Sequence, residues 1–460
     1  MADRMADYFE QVEQFPVKAQ VEPGDILNQL PEAPPDSAES LDQVLLDVDH
    51  VIMPGITHWQ HPRFYGYFPA NVSEPSLLAE MLTSAIGAQC MSWVTSPAAA
   101  EMEEKMMQWL IGLLDLPKNW QGCIQSTASE ATLVSLITAR EQYTDWKINE
   151  SGFSGDEQFV VYASEQVHSS IDKAMRIAGL GQQNLRKVPV DETYALNPDA
   201  LENAIRRDQQ DGKIPLAVIS VLGTTATTAI DPVPEISEIA QTYKLWHHVD
   251  AAYAGTAMIL PEYRHWNEGL ESVDSFVFNP HKWMGVQFDC SAYFVRDAEA
   301  LKRTFSINPA YLQTGMDDRV NNYRDWGIPL GRRFRALKLW FVLRMYGREG
   351  LQQMIRRHIE LGQKLAGRVD EHPDFELMAP VPLNLVCFRY RPSGVDDQSK
   401  LNELNHRLME QLNDSGKMFL THAELEGAFV IRWVTGQMKV TEQDISESWQ
   451  LVKETAETLR

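Results

Sequence analysis

Short apolar runs alternate with helical patterns through the middle of the chain. The runs begin near residues 159, 216, 245, 275 and 290, and amphipathic segments separate several of them. Continuous apolar runs of this length are typical of strands that are buried on both faces, and helices between strands produce parallel pairing. The crossover helices then cover both faces of the sheet. The pattern therefore predicts an α/β fold with a mostly parallel sheet.

The two ends of the chain follow other patterns. Residues 1–75 are helical in pattern and interrupted by prolines, which predicts an N-terminal helical segment. Residues 76–340 contain the predicted sheet. Residues 341–460 begin with a long helical pattern and continue with apolar runs at Leu385–Tyr390 and Ala428–Val434, which predict a smaller α/β domain.

Composition narrows the classes of partner. The chain has 460 residues, of which 44% are hydrophobic, and a formal net charge of −23. An acidic surface repels the phosphate backbone of nucleic acids, so no nucleic-acid partner is expected. The sequence contains no run of about 18 apolar residues, so no membrane span is predicted. The N-terminus lacks the apolar core of a signal peptide, and the four cysteines lack C-x-x-C spacing, so a cytoplasmic location with reduced thiols is expected.

Two candidate reactive groups follow neighbouring predicted strands. Asp250 ends the apolar run from Trp246, and Lys282 lies on the turn that follows Phe278. Open α/β folds bind their ligands at the carboxyl ends of strands. Pyridoxal phosphate (PLP) needs a lysine that holds its aldehyde as a Schiff base and an acid that faces its ring nitrogen. The pair therefore predicts PLP, although each residue alone also fits a surface lysine or a strand-end cap.

A phosphate site is predicted upstream of these two residues. Thr127 and Glu130 form a T-x-x-E capping box, so Ser126 to Ser129 begin a helix with small side chains and free backbone N–H groups. Most such boxes only cap a helix. The phosphate interpretation gains weight here because a candidate amine and a candidate acid accompany the box.

Three histidines lie near predicted strands. His168 follows the strand near residue 159, where it either stacks on a cofactor ring or caps the next helix. His247 and His248 precede Asp250, but adjacent strand residues point to opposite faces, so the two rings cannot easily share one ion. No metal site is predicted.

Two segments carry aromatic residues in polar or proline-rich surroundings. The segment 57–69 contains Trp59, Tyr67 and Phe68, and it either packs onto another surface or lines a pocket for a flat ring. Tyr311 lies in the polar segment 305–320, which has the composition of an active-site lid. A tyrosine there could deliver a proton, and an exposed surface tyrosine is the ordinary alternative.

Along almost its whole length, the chain resembles the group II pyridoxal-phosphate decarboxylases, and most closely the aromatic-L-amino-acid (DOPA-type) decarboxylases. The motifs that carry the resemblance are Thr57-His-Trp, Tyr67-Phe-Pro69, Gln125 to Leu133, Asn279-Pro-His-Lys-Trp283, Asp289-Cys-Ser and Ile328 to Arg335. The resemblance implies a fold-type-I enzyme with a seven-stranded-type sheet and a homodimer with shared active sites. It also implies decarboxylation of DOPA, tryptophan or 5-hydroxytryptophan, tyrosine or phenylalanine to amines and CO2.

The resemblance further implies roles for individual residues. Lys282 corresponds to the Schiff-base lysine, Asp250 to the partner of the ring nitrogen, and His168 to the histidine that stacks on the ring. Tyr311 corresponds to the loop tyrosine that protonates Cα after CO2 leaves. The other implied cofactor contacts are Ala128, Ser129, Thr224, Ala252, Asn279 and His281. The implied substrate contacts are Trp59, Tyr67, Phe68, Pro69, Met91 and Gly331.

Two of the substrate positions depart from parts of the family. Met91 stands where animal members carry an aromatic residue. Gly331 leaves room that a serine fills in other members, and in plant relatives this glycine goes with indole substrates. Both positions therefore bear on ring preference.

Several alternatives stay open. An aromatic aldehyde synthase or a decarboxylase of a non-aromatic amino acid would use the same fold, but His168 and Tyr311 favour simple decarboxylation and the aromatic segment disfavours an acidic substrate. An aminotransferase is disfavoured because no carboxylate-binding arginine is identified. A non-catalytic acidic scaffold is disfavoured because Lys282, Asp250 and Tyr311 are all intact.

Overall fold

A computed structural model describes residues 2–155, 157–307, 309, 312 and 315–459. The chain forms two compact units. The larger unit is Ala70–Arg357, and the smaller unit combines Met1–Pro69 with His358–Arg460. These units are defined by compactness, so the division of the chain by role at residues 75 and 340 stays a prediction.

A seven-stranded sheet lies at the centre of the larger unit. Its strands in chain order are β1 Gln121–Gln125, β2 Phe159–Ser164, β3 Leu185–Val188, β4 Ile214–Val221, β5 Trp246–Asp250, β6 Ser275–Phe278 and β7 Ser291–Val295. The spatial order is β1-β7-β6-β5-β4-β2-β3. All neighbours from β6 to β3 are parallel, whereas β7 runs antiparallel to both β1 and β6. The prediction of a mostly parallel sheet is confirmed.

Helices occupy the segments between and around the strands. In chain order they are α1 Ala2–Gln11, α2 Leu41–Asp47, α3 Glu74–Ile86, α4 Pro97–Leu114, α5 Ala128–Tyr143, α6 Lys147–Ser151, α7 Ser170–Ile177, α8 Pro198–Gln210, α9 Val233–Tyr243, α10 Pro280–Trp283, α11 Ala298–Phe305, α12 Arg335–Asp370, α13 Gln398–Asp414 and α14 Glu442–Thr458. Gly347 interrupts α12 with a φ of 64°. A residue with a side chain would be strained in that conformation.

Strand β2 shows how the sheet is covered on both faces. Its alternate residues Val161 and Ala163 pack in a core with residues of α5 and α7. Val160 and Tyr162 point the other way and pack in a second core with residues of α8 and α9. Both sets are buried because successive side chains of a strand point to opposite faces. This explains why the strand is apolar at almost every position.

The smaller unit contains an antiparallel sheet of four strands. They are β8 Phe375–Leu377, β9 Leu385–Tyr390, β10 Thr421–Leu425 and β11 Ala428–Val434, in the spatial order β10-β11-β9-β8. Helices α13 and α14 share a core with this sheet, in which the ring of Tyr65 lies 4.7 Å from that of Trp433. The two strands predicted in this part of the sequence are confirmed.

Membrane insertion through a helix has no support in the part of the chain that the structure describes. None of the helices there combines the length and the apolar character that crossing a bilayer requires.

Candidate active site

Asp250 lies at the carboxyl end of β5, between the ends of β4 and β6. Its register partners are Val221 on β4 and Val277 on β6. Only 6% of the residue is exposed, and Oδ1 accepts a hydrogen bond of 2.9 Å from the backbone N–H of Ala252. The carboxylate is therefore fixed at the edge of the sheet where open α/β folds bind ligands.

Lys282 follows β6 within the short helix α10. The turn is tied to the segment after β5, because the backbone N–H of Asn279 donates to the carbonyl of Ala252 at 3.0 Å. The next residue, Trp283, is fully buried and stacks on Tyr253 with the ring centroids 4.7 Å apart. Packing of its neighbour therefore fixes the backbone of Lys282, whose side chain is half-buried.

His168 lies in the loop between β2 and α7, in the same charged environment as Asp250 and Lys282. The backbone N–H of Ser170 donates to its Nδ1 at 3.1 Å, so the proton of the neutral ring is carried on Nε2. Partial burial lowers the pKa of His168, the charge of Lys282 lowers it further, and Asp250 raises it. The neutral ring is thus favoured, and the structure brings these three predicted residues together.

Thr224 lies in a tight turn at the end of β4, beside Asp250. Its Oγ1 accepts the backbone N–H of Ala229 at 3.0 Å and lies 3.0 Å from Oγ1 of Thr227. Gly223 precedes it with a φ of 89°, and a methyl group there would come within 2.7 Å of the Ala254 side chain. Only glycine fits this close approach, which keeps the buried Thr224 turn against the end of β5.

The phosphate cradle, residues Ser126–Ser129, lies where β1 passes into α5. Thr127 is the N-cap of α5 and accepts the backbone N–H of Glu130 at 3.3 Å. The Glu130 carboxylate accepts the backbone N–H of Ser126 at 2.8 Å rather than that of the N-cap. The predicted capping interaction is therefore present in a shifted form, and the backbone at Ala128 and Ser129 forms the first turn of the helix.

A hydrogen bond connects β7, the strand beside β1, to the Lys282 turn. The Ser291 hydroxyl of β7 donates to Oδ1 of the buried Asn279. Ser291 is also the register partner of Gln125, the residue before the cradle. Antiparallel β7 thereby places Asn279 near the start of α5. Ala128, Ser129 and Asn279 thus occupy one end of the sheet.

His281 is held by the backbone of the strand that follows. Its ring Nδ1 accepts a hydrogen bond from the backbone N–H of Cys290 at 2.9 Å. The backbone N–H of His281 donates to the Cys290 carbonyl at 3.2 Å. Burial lowers the pKa of His281 to about 3, with Lys282 as a further cause. Next to Cys290, Asp289 accepts two hydrogen bonds from Arg335, at 2.8 and 3.2 Å. The residue beside Lys282 is therefore a neutral, fixed histidine.

The predicted aromatic substrate contacts lie in the smaller unit. The Trp59 ring stacks on Phe64 at 4.5 Å and, with an interplanar angle of 6°, on Tyr67 at 5.5 Å. Tyr67 is 52% exposed, whereas Phe68 and Pro69 are buried. Trp59, Phe64 and Tyr67 thus form a compact stack of rings within the smaller unit.

The remaining predicted contacts lie in the larger unit or outside the described residues. The Met91 carbonyl accepts the backbone N–H of Arg324 at 2.9 Å. Gly331 is exposed, and a side chain there would first meet the amide of Gln89. Tyr311 lies outside the described residues, so its predicted role stays a prediction.

A family model described as "Pyridoxal-dependent decarboxylase conserved domain" matches residues 23–391. The chain belongs to this family. It is 44% identical to the phenylacetaldehyde synthase of Arabidopsis thaliana over 100% of this chain and 95% of that relative. It is 42% identical to tyrosine decarboxylase 2 of Narcissus pseudonarcissus over 100% of this chain and 93% of that relative. The crystal structure of Oryza sativa TDC with PLP and tryptamine matches with a TM-score of 0.97 at 35% identity, covering 100% of this chain and 96% of that chain.

PLP is the cofactor of this decarboxylase, and the predicted fold-type-I architecture is confirmed. The residues present fit the cofactor. A buried carboxylate lies at the end of β5, and an amine lies on the turn after β6. The charges of both groups shift the pKa of the same histidine, His168. The first turn of α5 offers backbone N–H groups to an anion. Asp250, Lys282 and the phosphate cradle are thus the groups that would hold the ring nitrogen, the aldehyde and the phosphate.

Sequence patterns miss several residues that shape the site of this decarboxylase. Ser291 and Arg335 bond to the Lys282 segment from positions after it, and Glu103 bonds to β1 from a distant helix. Ser291 and Arg335 each belong to a motif that carries the family resemblance, which indicates that they matter but does not indicate which residues they contact. Nothing in the spacing of Glu103 indicates its partners.

Proposed function

We propose that this decarboxylase removes CO2 from aromatic L-amino acids and releases the corresponding amines. Its relatives support the substrate class, because one is a tyrosine decarboxylase and the similar crystal structure contains tryptamine. The proposed substrates are tryptophan or 5-hydroxytryptophan, DOPA, tyrosine and phenylalanine. The observation on this chain that carries the proposal is the stack formed by Trp59 and Tyr67, which suits a flat ring.

The residues of the larger unit are proposed to hold the cofactor and its protons. Bound PLP supplies a conjugated ring that accepts the electron pair left behind when CO2 departs. Asp250 keeps a proton on the ring nitrogen, because a buried carboxylate favours an adjacent cation. Lys282 holds the cofactor aldehyde through its amine and gives way to the substrate amine. His168 lies against the ring as a neutral imidazole, since its lowered pKa disfavours a second positive charge.

The backbone and small side chains around these groups are proposed to fix the cofactor in place. Ala128 and Ser129 offer N–H groups to the phosphate at the start of α5. Asn279 and His281 flank the lysine turn, and their hydrogen bonds to β7 and Cys290 keep it rigid. Ala252 donates its backbone N–H to Asp250 and restricts where the carboxylate points, and Thr224 lies in the turn at the end of the neighbouring strand β4.

Proton delivery and ring preference are assigned to three further residues. Tyr311 is proposed to protonate Cα after CO2 leaves. Met91 and Gly331 are proposed to border the substrate ring. The absence of a side chain at Gly331 favours the larger indole ring over the phenol.

Product analysis tests the function. Purified enzyme with PLP is incubated with tryptophan, tyrosine, phenylalanine and DOPA, with glutamate and histidine as non-aromatic controls. CO2, amine, aldehyde and ammonia are measured for each. We expect amine and CO2 in equal amounts from the aromatic substrates only. Turnover of glutamate or histidine without turnover of any aromatic substrate would exclude the proposed substrate class.

A second candidate, an aromatic aldehyde synthase, is favoured by one observation. The relative with 44% identity is a phenylacetaldehyde synthase. Such a reaction would consume O2 and release aldehyde, ammonia and hydrogen peroxide in addition to CO2. The same product analysis separates the two functions, because aldehyde would replace amine and oxygen uptake would match CO2.

We also propose that the enzyme is a homodimer with shared active sites. Leu78, Leu82 and Ile86 lie four residues apart on α3 and are 51%, 44% and 55% exposed. Apolar side chains at this spacing form one exposed stripe, and such stripes mark association sites. We expect a mass of about twice 52.3 kDa by light scattering, and a smaller mass for Leu82→Glu. A monomeric wild-type protein would contradict the dimer.

A cytoplasmic location is proposed as well. All four cysteines are free and buried, as is usual in a reducing compartment. Fractionation of cells that express the chain tests it, and recovery with an organelle or the exterior would contradict it.

A further inference from the structure

A buried ion pair joins α4 to the segment before α12. Arg332 Nη1 and Nη2 donate to the two carboxylate oxygens of Glu103, at 3.1 and 2.7 Å. Both residues are at least nine-tenths buried. Burial acts against the charge of Arg332, but Glu103 outweighs it, and the pKa of Arg332 is raised. The pair is therefore a charged, two-point contact, the most geometrically demanding form of a carboxylate–guanidinium interaction.

Both members of the pair form hydrogen bonds with the backbone of one residue, Ile124 of β1. The N–H of Ile124 donates to Glu103 Oε1 at 2.8 Å, and its carbonyl accepts Arg332 Nη2 at 2.6 Å. Both backbone groups of one residue are thus fixed by the two halves of one ion pair. A small change in either side chain would shift this point of the strand.

Ile124 lies two residues before the phosphate cradle. Between them, the side-chain amide of Gln125 donates to the Trp326 carbonyl at 3.0 Å. A methyl group at Gly327 would come within 2.9 Å of that amide. The segment that begins at Trp326 therefore packs tightly against the entrance to the cradle.

The position of Arg332 is itself fixed by backbone contacts. Its N–H donates to Gln89 Oε1 at 2.8 Å, and its carbonyl accepts the N–H of Cys90 at 3.0 Å. The guanidinium also lies 5.0 Å from the ring centroid of Tyr323. Backbone contacts hold Arg332 in place, and Glu103 is part of helix α4. The pair therefore fixes the position of Ile124 in β1 relative to both segments.

We propose that Glu103 and Arg332 are positioning residues for the phosphate cradle, which they hold at the end of β1 through the two backbone groups of Ile124. The proposal rests on the function proposed above for Ser126–Ser129 as the phosphate site. Neither residue of the pair touches the cofactor; both act through the strand.

A comparison of two buried carboxylates tests the proposal. Glu103→Gln removes one charge of the pair. The matched control is Asp208→Asn, because Asp208 is also buried in the larger unit and pairs with Arg186 and Lys213. We expect both variants to lower the melting temperature, but only Glu103→Gln to weaken PLP binding, by about tenfold. Equal PLP affinity in the two variants would overturn the proposal.

Comparison with pyridoxal, which has no phosphate, separates the proposal from the function on which it rests. Affinity is measured by absorbance titration of each full-length protein with PLP and with pyridoxal. We expect Glu103→Gln to lose affinity for PLP and to keep the affinity of the wild type for pyridoxal. A wild type that does not favour PLP over pyridoxal would contradict the cradle as the phosphate site. A wild type that favours PLP, with an equal loss for both ligands in Glu103→Gln, would contradict only the positioning role.

A double variant distinguishes positioning from simple stabilisation. Glu103→Gln leaves a buried arginine unpaired, whereas Glu103→Leu with Arg332→Met removes both charges and is expected to melt at a higher temperature. PLP affinity should nevertheless stay weakened, because Ile124 has lost both of its side-chain partners. Recovery of PLP affinity in step with the melting temperature would show that the pair acts through stability alone and would overturn the proposal.

Discussion

The two units present aromatic and charged groups in contrasting ways. In the larger unit, Asp250 and Lys282 lie at strand ends, and hydrogen bonds to the backbone hold them and their neighbours. In the smaller unit, Trp59 and Tyr67 are positioned by ring stacking, and Tyr67 is half exposed. Backbone hydrogen bonds are directional, whereas stacked rings tolerate sliding. Under the proposed function, the groups assigned to the chemistry are therefore held rigidly, and the rings assigned to substrate selection are held by contacts that can adjust.

The largest effect on activity is expected from substitution of Lys282 in the larger unit. Lys282→Ala should lower the rate of CO2 release by about 10³-fold or more, because the variant loses the amine that is proposed to hold the cofactor aldehyde. The control is the exposed Lys118→Ala, which should keep wild-type activity. CO2 release is measured with excess PLP present. Activity within a few fold of the wild type would show that the chemistry does not depend on this strand end.

A smaller loss is expected from Asp250, the acid proposed to face the ring nitrogen. Asp250→Asn keeps the oxygen that accepts the Ala252 N–H but removes the negative charge. We expect the rate to fall by about 10²-fold while the melting temperature changes little, since a fixed charge in a dry site contributes mainly to the reaction. A stopped-flow measurement of CO2 release and a thermal melt together test this. An unchanged rate would remove Asp250 from the site.

The buried histidines of the larger unit predict a loss of stability in acid. Burial lowers the pKa of His247 to about 3, of His248 to about 4 and of His281 to about 3. In the unfolded chain each pKa is about 6.5, so between about pH 6.5 and about pH 4 the unfolded state binds more protons. Stability is therefore complete above this range and falls as the pH decreases through it. At about pH 5 each histidine lowers the free energy of unfolding by about 2 kcal/mol.

Carboxyl groups with a raised pKa oppose this trend, and Asp231 supplies the control. The pKa of the buried Asp231 is raised to about 7, so its neutral form stabilises the folded state in acid. We expect a net loss of about 3 kcal/mol between about pH 7.5 and about pH 5, measured by urea unfolding. Asp231→Asn should steepen the loss. A free energy of unfolding that does not change over this range would contradict the prediction for the histidines.

The smallest effect is expected in the smaller unit. Trp59→Ala should raise KM for aromatic amino acids by about tenfold and leave kcat within about twofold, because a stacking contact contributes about 1 kcal/mol and does not take part in bond breaking. Trp59→Phe should retain most of the affinity. Steady-state kinetics with tyrosine and tryptophan test both variants. A fall in kcat with unchanged KM would contradict the separation of selection from chemistry.

The sequence predicts the inner strands of the sheet, and the reactive residues that follow them, better than it predicts the two edge strands. Apolar runs predict β2, β4, β5, β6 and β7, and the residues that follow them indicate Asp250 and Lys282. Strand β1 is not predicted, because Gln-Gly-Cys-Ile-Gln contains a glycine and polar residues at both ends. Strand β3 has only four residues and is equally hard to recognise.

Long-range contacts escape prediction for a different reason. Glu103 and Arg332 are separated by 229 positions, and no periodicity connects them. The bond between Asn279 and Ser291 depends on the antiparallel direction of β7, which apolar patterning does not encode. The roles of Lys282, Asp250 and Trp59 stay predictions that the experiments above address, and the role of Tyr311 also stays a prediction.

The contacts of Ile124 also bear on solubility. Strand β1 ends the spatial order of the sheet, so its outer N–H and C=O groups are not paired with another strand of this sheet. At Ile124 the side chains of Glu103 and Arg332 occupy both groups. The ion pair thereby blocks strand-by-strand addition at this edge, and a chain without it would be prone to aggregate before it lost its fold.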